Sequence, residues 1–250
     1  MLSSLIIRLK PENDLPFSIN YGSLFHGIIM ENIDENYANI LHDSGLKPYT
    51  QHIERDKDAF VWIINALNKE ANEKILNIFY NHKIKKFYLR DKDKKLIVEN
   101  MERIEITYDS LVETTYFSEN SRMFQINFTT PTAFKSDGEY IFYPDIRLIY
   151  QSLMNKFNTF SEENSMDSEE TLEHLKSYTK IYKYNLRSTF FYLEGVKIPS
   201  FTGYIQIKIN GPKELVNLSH LLFKFGEFSG IGIKTAIGMG NIKYSNKILK

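Results

Sequence analysis

A chain of 250 residues, 42% hydrophobic and 25% charged, is long enough for one large soluble domain or for two of about 100–125 residues each. It has no cysteine, which excludes a disulfide framework, a cysteine nucleophile and a thiolate zinc site. A net charge of zero hides an uneven distribution: residues 171–250 hold 12 Lys and Arg against 4 Asp and Glu, whereas residues 1–120 hold 15 against 19. Local field steers a polyanion more than net charge does, so the basic C-terminal third keeps a nucleic-acid partner in play. The N-terminus lacks a signal-peptide pattern, and no stretch approaches the roughly 20 apolar residues of a membrane span. A cytoplasmic protein with no membrane partner is expected.

In chain order, residues 3–10 alternate apolar and polar and predict a strand, followed by a loop over 11–16. Leu24, Phe25, Ile28 and Ile29 recur at helical spacing and predict a helix over 21–33. A short helix over 36–42 stops at Ser44-Gly45. Strands are predicted over 49–53 and 60–67. Asn68 opens a helix to residue 80, with Ile75, Leu76 and Phe79 on one face. Strand patterns over 83–89 and 96–108 are joined by a charged turn over 91–95.

The second half repeats the theme. Strands are predicted over 123–130 and 140–143, then a helix over 145–157 capped by Asp145. A polar, acidic linker over 161–168 precedes a helix from residue 169. Strands over 182–193 and 204–209 lead to Pro212, a helix over 214–225 and a last strand over 241–244. Each half reads β-α-β-β-(α)-β. The fold class is therefore α+β, two tandem ferredoxin-like (RRM-like) modules, divided as residues 1–118 and 119–250.

The run FSGIGIKTAIGMGNIKY contains Gly230, Gly232, Gly238 and Gly240, with Lys234 and Thr235 between them. Glycine lets a partner approach the backbone, and successive N–H groups can cradle phosphate oxygens. The run is neither a Walker loop nor a dinucleotide fingerprint, because the Lys and Gly spacings are wrong. A phosphate contact and a tightly packed glycine hairpin are both open on the residues alone.

This run resembles the C-terminal glycine-rich motif of the RAMP superfamily of CRISPR proteins. TPTAFKSDGEYIFYPDIRLIYQSLMNKFN, VKIPSFTGYIQIKI, and YGSLFHGIIMENI followed by ILHDSGLKPYT are similar, in order, to segments of the CRISPR repeat-RNA endoribonuclease ("Cas six") family. The resemblance covers most of the chain. It implies a metal-independent endoribonuclease that cleaves precursor CRISPR RNA within the repeat by 2′-hydroxyl attack. The products would be a 2′,3′-cyclic phosphate and mature guide RNAs.

None of the six histidines (His26, His42, His52, His82, His174, His220) sits in an H-E-x-x-H pair, and no paired-carboxylate motif stands out, so no metal or other cofactor is expected. His42 could simply complement the helix dipole at a last helical turn. The resemblance instead makes His42 a proton-transfer catalyst and Lys47 the stabiliser of the phosphorane-like charge, since Leu41-His42-Asp43 and Lys47-Pro48-Tyr49-Thr50 match the family's positions. Some family members carry a catalytic tyrosine where Met30 stands here, and methionine transfers no proton. His26, one helical turn earlier, either supplies that second role or packs beside Phe25, with Tyr21 and Tyr37 as weaker substitutes.

For RNA binding, the glycine run is joined by Arg187 and Lys208, with Lys197, Lys243, Lys135 and Arg122 as further phosphate candidates. Tyr182, Tyr184, Phe190, Phe191, Tyr192, Phe201 and Tyr204 interleave as stacking or core aromatics. The resemblance implies repeat RNA, precursor and processed, as partner, and allows other CRISPR effector-complex subunits and a homodimer. Two competing readings are a non-catalytic RNA-binding or scaffold subunit of a CRISPR ribonucleoprotein and a small-molecule enzyme on the same fold.

Overall fold

The structure, a computed structural model, describes the chain except residues 13, 14, 17, 83, 90–93, 162–167 and 247–250. Most of the expected turn over 91–95, most of the linker over 161–168 and part of the loop over 11–16 lie outside the described residues.

Strand β1 (Leu2–Pro11) turns Leu5, Ile7 and Leu9 into the first core. Helix α1 (Gly22–Asn32) buries Phe25, Ile28 and Ile29, and α2 (Glu35–Asp43) buries Tyr37 and Leu41. Asp34 caps α2 by accepting the Tyr37 N–H at 3.1 Å. Strands β2 (Tyr49–Asp56) and β3 (Ala59–Ala66) form a hairpin. The predicted single helix from Asn68 runs as α3 (Lys69–Ala71), a π-helical stretch (Asn72–Leu76) and α4 (Asn77–Asn81). Strands β4 (Lys86–Leu89) and β5 (Lys94–Ile106) complete a sheet of order β2-β3-β1-β5-β4. This is the ferredoxin-like order with β4 added at one edge. Trp62 is its packing centre, edge-on to Phe25, Phe79 and Phe87.

Helix α5 (Tyr108–Thr115) leads into β6 (Met123–Thr132). A two-stranded hairpin, β7 (Phe134–Ser136) and β8 (Glu139–Ile141), precedes α6 (Ile146–Phe160) and α7 (Ser168–Tyr178). Strands β9 (Thr179–Leu193) and β10 (Val196–Ile209), then α8 (Lys213–Ser229) and β11 (Ile242–Ser245), give a sheet of order β11-β6-β10-β9, again ferredoxin-like. Phe124, Ile126, Ile205 and Ile207 face the core that α6 and α8 supply with Tyr150, Leu153, Phe157 and Phe223. Among the described residues no helix is long and apolar enough to cross a membrane.

The expected division at 118/119 is displaced. The first unit is Met1–Ile106 with Thr235–Gly238, and the second is Thr107–Lys234 with Met239–Lys250. Helix α5 joins the second unit because its Tyr108 ring packs on Phe157 and Phe225 and its Leu111 is buried there. The expectation of two contiguous segments also fails, because four residues of the glycine run belong to the first unit. The expected strand over 140–143 is an edge of the small hairpin, outside the main sheet.

Candidate active site and RNA-contact surface

Helix α1 places His26 part-buried in the first unit. Its Nδ1 lies 2.9 Å from the Tyr49 hydroxyl on β2, and the two rings are within 7° of parallel. Tyr49 is fully buried, and burial holds its phenol far above the usual tyrosine range. The phenol therefore stays protonated near neutral pH and can donate to, or accept from, the imidazole. Met30, one turn on, packs against the first core.

His42 lies in the last turn of α2 with its side chain 89% exposed, and its Nδ1 is 3.3 Å from Asp43 Oδ1. Both partners are in water, so this pair contributes little stability. Lys47 is placed differently. Its Nζ donates to the carbonyls of Leu41, His42 at 3.1 Å and Ser44 at 2.6 Å. A helix end leaves carbonyls without intrahelical partners, and a cation there also meets the negative end of the helix dipole. Lys47 thus clamps the loop that presents His42. Two residues further on, Tyr49 holds His26, so one continuous segment ties all three candidates together.

The middle of the glycine run reaches the same helix. Thr235–Gly238 packs in the first unit, with Ala236 in its core. A Cβ on Gly22, the first residue of α1, would overlap the Ile237 carbonyl oxygen, so glycine is required there. Gln51 ties the spot to the sheet: its Nε2 donates to the Gly22 carbonyl at 2.8 Å, and its Oε1 accepts from Trp62 Nε1 at 3.0 Å.

The rest of the run is held within the second unit, and backbone N–H groups of both parts are already engaged. The N–H groups of Gly230, Gly232 and Gly240 donate to the Gly226 carbonyl, Ser152 Oγ and the Pro131 carbonyl, and that of Gly238 donates to the Thr235 carbonyl. Gly230, Thr235, Gly238 and Gly240 are buried. A phosphate taking these N–H groups would have to break existing bonds. Lys234 is exposed, in the left-handed region with φ of 55°.

Strand register defines a polar face on the second sheet. Tyr204 pairs with Asn127 and Asn185, and Asn127 with Lys243; Gln206 pairs with Lys183, Lys208 with Lys180 and Thr202 with Arg187. Paired residues share a face, as do alternate residues along β10. Lys180, Lys183, Arg187, Lys208 and Lys243 are therefore exposed cations on the face opposite the apolar core. Tyr182, Tyr184, Phe190 and Tyr192 are exposed on β9, whereas Phe191 and Phe201 are buried. Composition could not show that Lys180 and Lys208 lie directly opposite, because the register depends on an irregularity near Tyr182.

The other histidines fall elsewhere. His82 and His174 are exposed, and His52 is buried 3.4 Å from Glu54. His220 is fully buried on the Phe124 ring, with Nε2 2.7 Å from the Ser121 carbonyl and Nδ1 bonded to the Tyr244 hydroxyl. Among the described residues, no three His, Asp or Glu side chains gather as a metal-holding group.

A family model described as CRISPR-associated endoribonuclease Cas6 matches residues 126–242. A relative of that name from Streptococcus thermophilus is 36% identical over 223 residues, covering 89% of this chain and 90% of the relative. The chain belongs to the Cas6 family. A Cas6 from Mycobacterium tuberculosis (strain CDC 1551 / Oshkosh) is 31% identical over 245 residues, covering 97% of this chain and 78% of the relative. The fold of this Cas6-family chain is shared with a solved Cas6 product complex at TM-score 0.80, 19% identity and 98% and 99% coverage. It is shared also with Thermus thermophilus Cas6 at TM-score 0.71, 20% identity and 98% coverage of both chains.

Proposed function

We propose that this chain is a metal-independent endoribonuclease that cuts precursor CRISPR RNA within the repeat. The observation that carries the reading is the linkage of His26, Tyr49, Lys47 and His42 along one clamped segment. RNA supplies its own nucleophile. The 2′-hydroxyl attacks the adjacent phosphorus, one group takes its proton, another protonates the departing 5′-oxygen, and a 2′,3′-cyclic phosphate remains. His42 is exposed enough to meet a large substrate and His26 is held in one orientation, so the two fill the proton-transfer roles. Lys47 places its charge on the loop that carries His42. It touches a phosphoryl oxygen by exchanging one of its three carbonyls for it. Repeat RNA lies on the basic face of the second sheet, with Lys234 as a further phosphate contact.

Incubation of the protein with labelled repeat RNA in EDTA tests this. One cut leaving a 2′,3′-cyclic phosphate, blocked by a 2′-deoxy substitution at the scissile nucleotide, is expected. Binding without a cut would favour the alternative, a non-catalytic RNA-binding subunit, a reading supported by Met30 at the position of the family's tyrosine.

A further inference from the structure

Helix α6 buries a lysine. Lys156 is 4% exposed, and its Nζ donates to the carbonyls of Ser229 and Gly230 at 3.0 Å each and to that of Gly232 at 3.4 Å. One turn earlier on the same helix, Ser152 Oγ accepts the Gly232 N–H at 2.8 Å. The two side chains, four residues apart and so on one helical face, grip both polar groups of Gly232. The opposite side of the strand end closes the grip. Ile233 N–H donates to the Ala133 carbonyl at 3.0 Å, and a Cβ on Gly232 would overlap that same carbonyl oxygen. Gly232 has a φ of 81°.

We propose that Lys156, with Ser152, is a positioning residue that fixes the glycine-rich segment in the conformation that presents Lys234 to RNA. The inference rests on the RNA-binding reading above. A buried ammonium is costly unless its donors are satisfied, and burial pushes Lys156 down to about 7. The three carbonyls oppose that by favouring the charged form, as does the C-terminal end of α8. A leucine, or a methionine of similar length, would bury without that cost but would leave these carbonyls without the donor. What lysine adds is a fixed point for three carbonyls: it caps two at the C-terminal end of α8, and the third starts the turn toward Lys234. Lys47 uses the same device on α2, there at a part-exposed position.

The test compares Lys156→Met, Lys156→Arg and Ser152→Ala with the wild-type full chain. The readouts are amide hydrogen exchange, repeat-RNA affinity and single-turnover cleavage at saturating protein. For Lys156→Met, exchange over residues 231–240 should rise at least ~10-fold while β6 and β10 amides stay protected. The Kd for repeat RNA should rise about 10-fold and the saturated cleavage rate change by less than about 3-fold, the split expected of a residue that acts on binding alone. Lys156→Arg should recover part of both. Unchanged exchange, or faster exchange with unchanged RNA affinity, overturns the proposal. If Lys156→Met does not fold, Ser152→Ala removes a contact to the same glycine without altering a charge, and carries the same two expectations. If the wild-type chain binds no repeat RNA, the proposed function fails, and exchange still reports on whether Lys156 holds the segment.

Discussion

The Tyr49 hydroxyl and His26 Nδ1 are 2.9 Å apart, joining the first helix of the chain to the strand that follows the His42 loop. If this bond orients a proton-transfer group, Tyr49→Phe should lower the single-turnover cleavage rate about 10-fold, because a modest misplacement at a reacting group is costly. RNA affinity should be unchanged. His26→Ala should lower the rate by about 10²-fold or more, and the double variant should be no slower than His26→Ala alone. Additive losses in that cycle would separate Tyr49 from His26, and a His26→Ala rate within a few-fold of wild type would remove His26 from the mechanism.

Lys47 and His42 predict different signatures. His42→Ala should cut the rate by about 10²–10⁴-fold with little effect on stability, since its side chain contacts little but Asp43 and water. Lys47→Ala should both slow cleavage and lower stability by roughly 1–2 kcal/mol, because three carbonyls at the end of α2 lose their cation. Urea titrations beside single-turnover rates check this. A Lys47 variant as stable as wild type would mean that the clamp is not formed in solution.

The order of strands and helices was legible because alternation and helical spacing are local signals, and the repeated β-α-β-β pattern leaves few topologies open. The return of Thr235–Gly238 to the first unit was not legible, since only long-range packing on Gly22 decides it. On its residues the glycine run fits either a cradle of available N–H groups or a tightly packed hairpin. The structure has most of them donating internally, and no sequence pattern reports where a backbone bond goes. Lys156 left a faint trace: it sits at the heptad position after Ile149, on the stripe continued by Leu153 and Phe160, where a solvated lysine does not belong.

Lys180 and Lys208 face each other across β9 and β10, and like charges directly opposite are destabilising. Lys208→Gln should therefore stabilise the free protein by a few tenths of a kcal/mol while weakening RNA binding. It should also make the slope of log K against log salt shallower by about 1. Thermal melts without RNA and binding titrations between low and moderate salt give the two numbers. Loss of affinity with an unchanged salt slope would place Lys208 outside the phosphate-contacting surface.

His220 sets an acid limit on the second unit. Burial lowers its pKa to about 4, with the Ser121 carbonyl partly opposing, so the folded chain holds it neutral. The unfolded chain titrates it near 6.5. Between those values the unfolded state binds the extra proton, so stability is fully present above about pH 6.5 and falls as pH drops toward 4. The loss amounts to about 3 kcal/mol for this group. His220→Gln keeps a polar side chain in the pocket formed by Ser121, Phe124 and Tyr244 but has nothing to protonate. It should be less stable than wild type at pH 7.5 and lose less on going to pH 4.5. Urea unfolding at both pH values measures the two differences, and an equal acid loss in wild type and variant would show that His220 does not drive it.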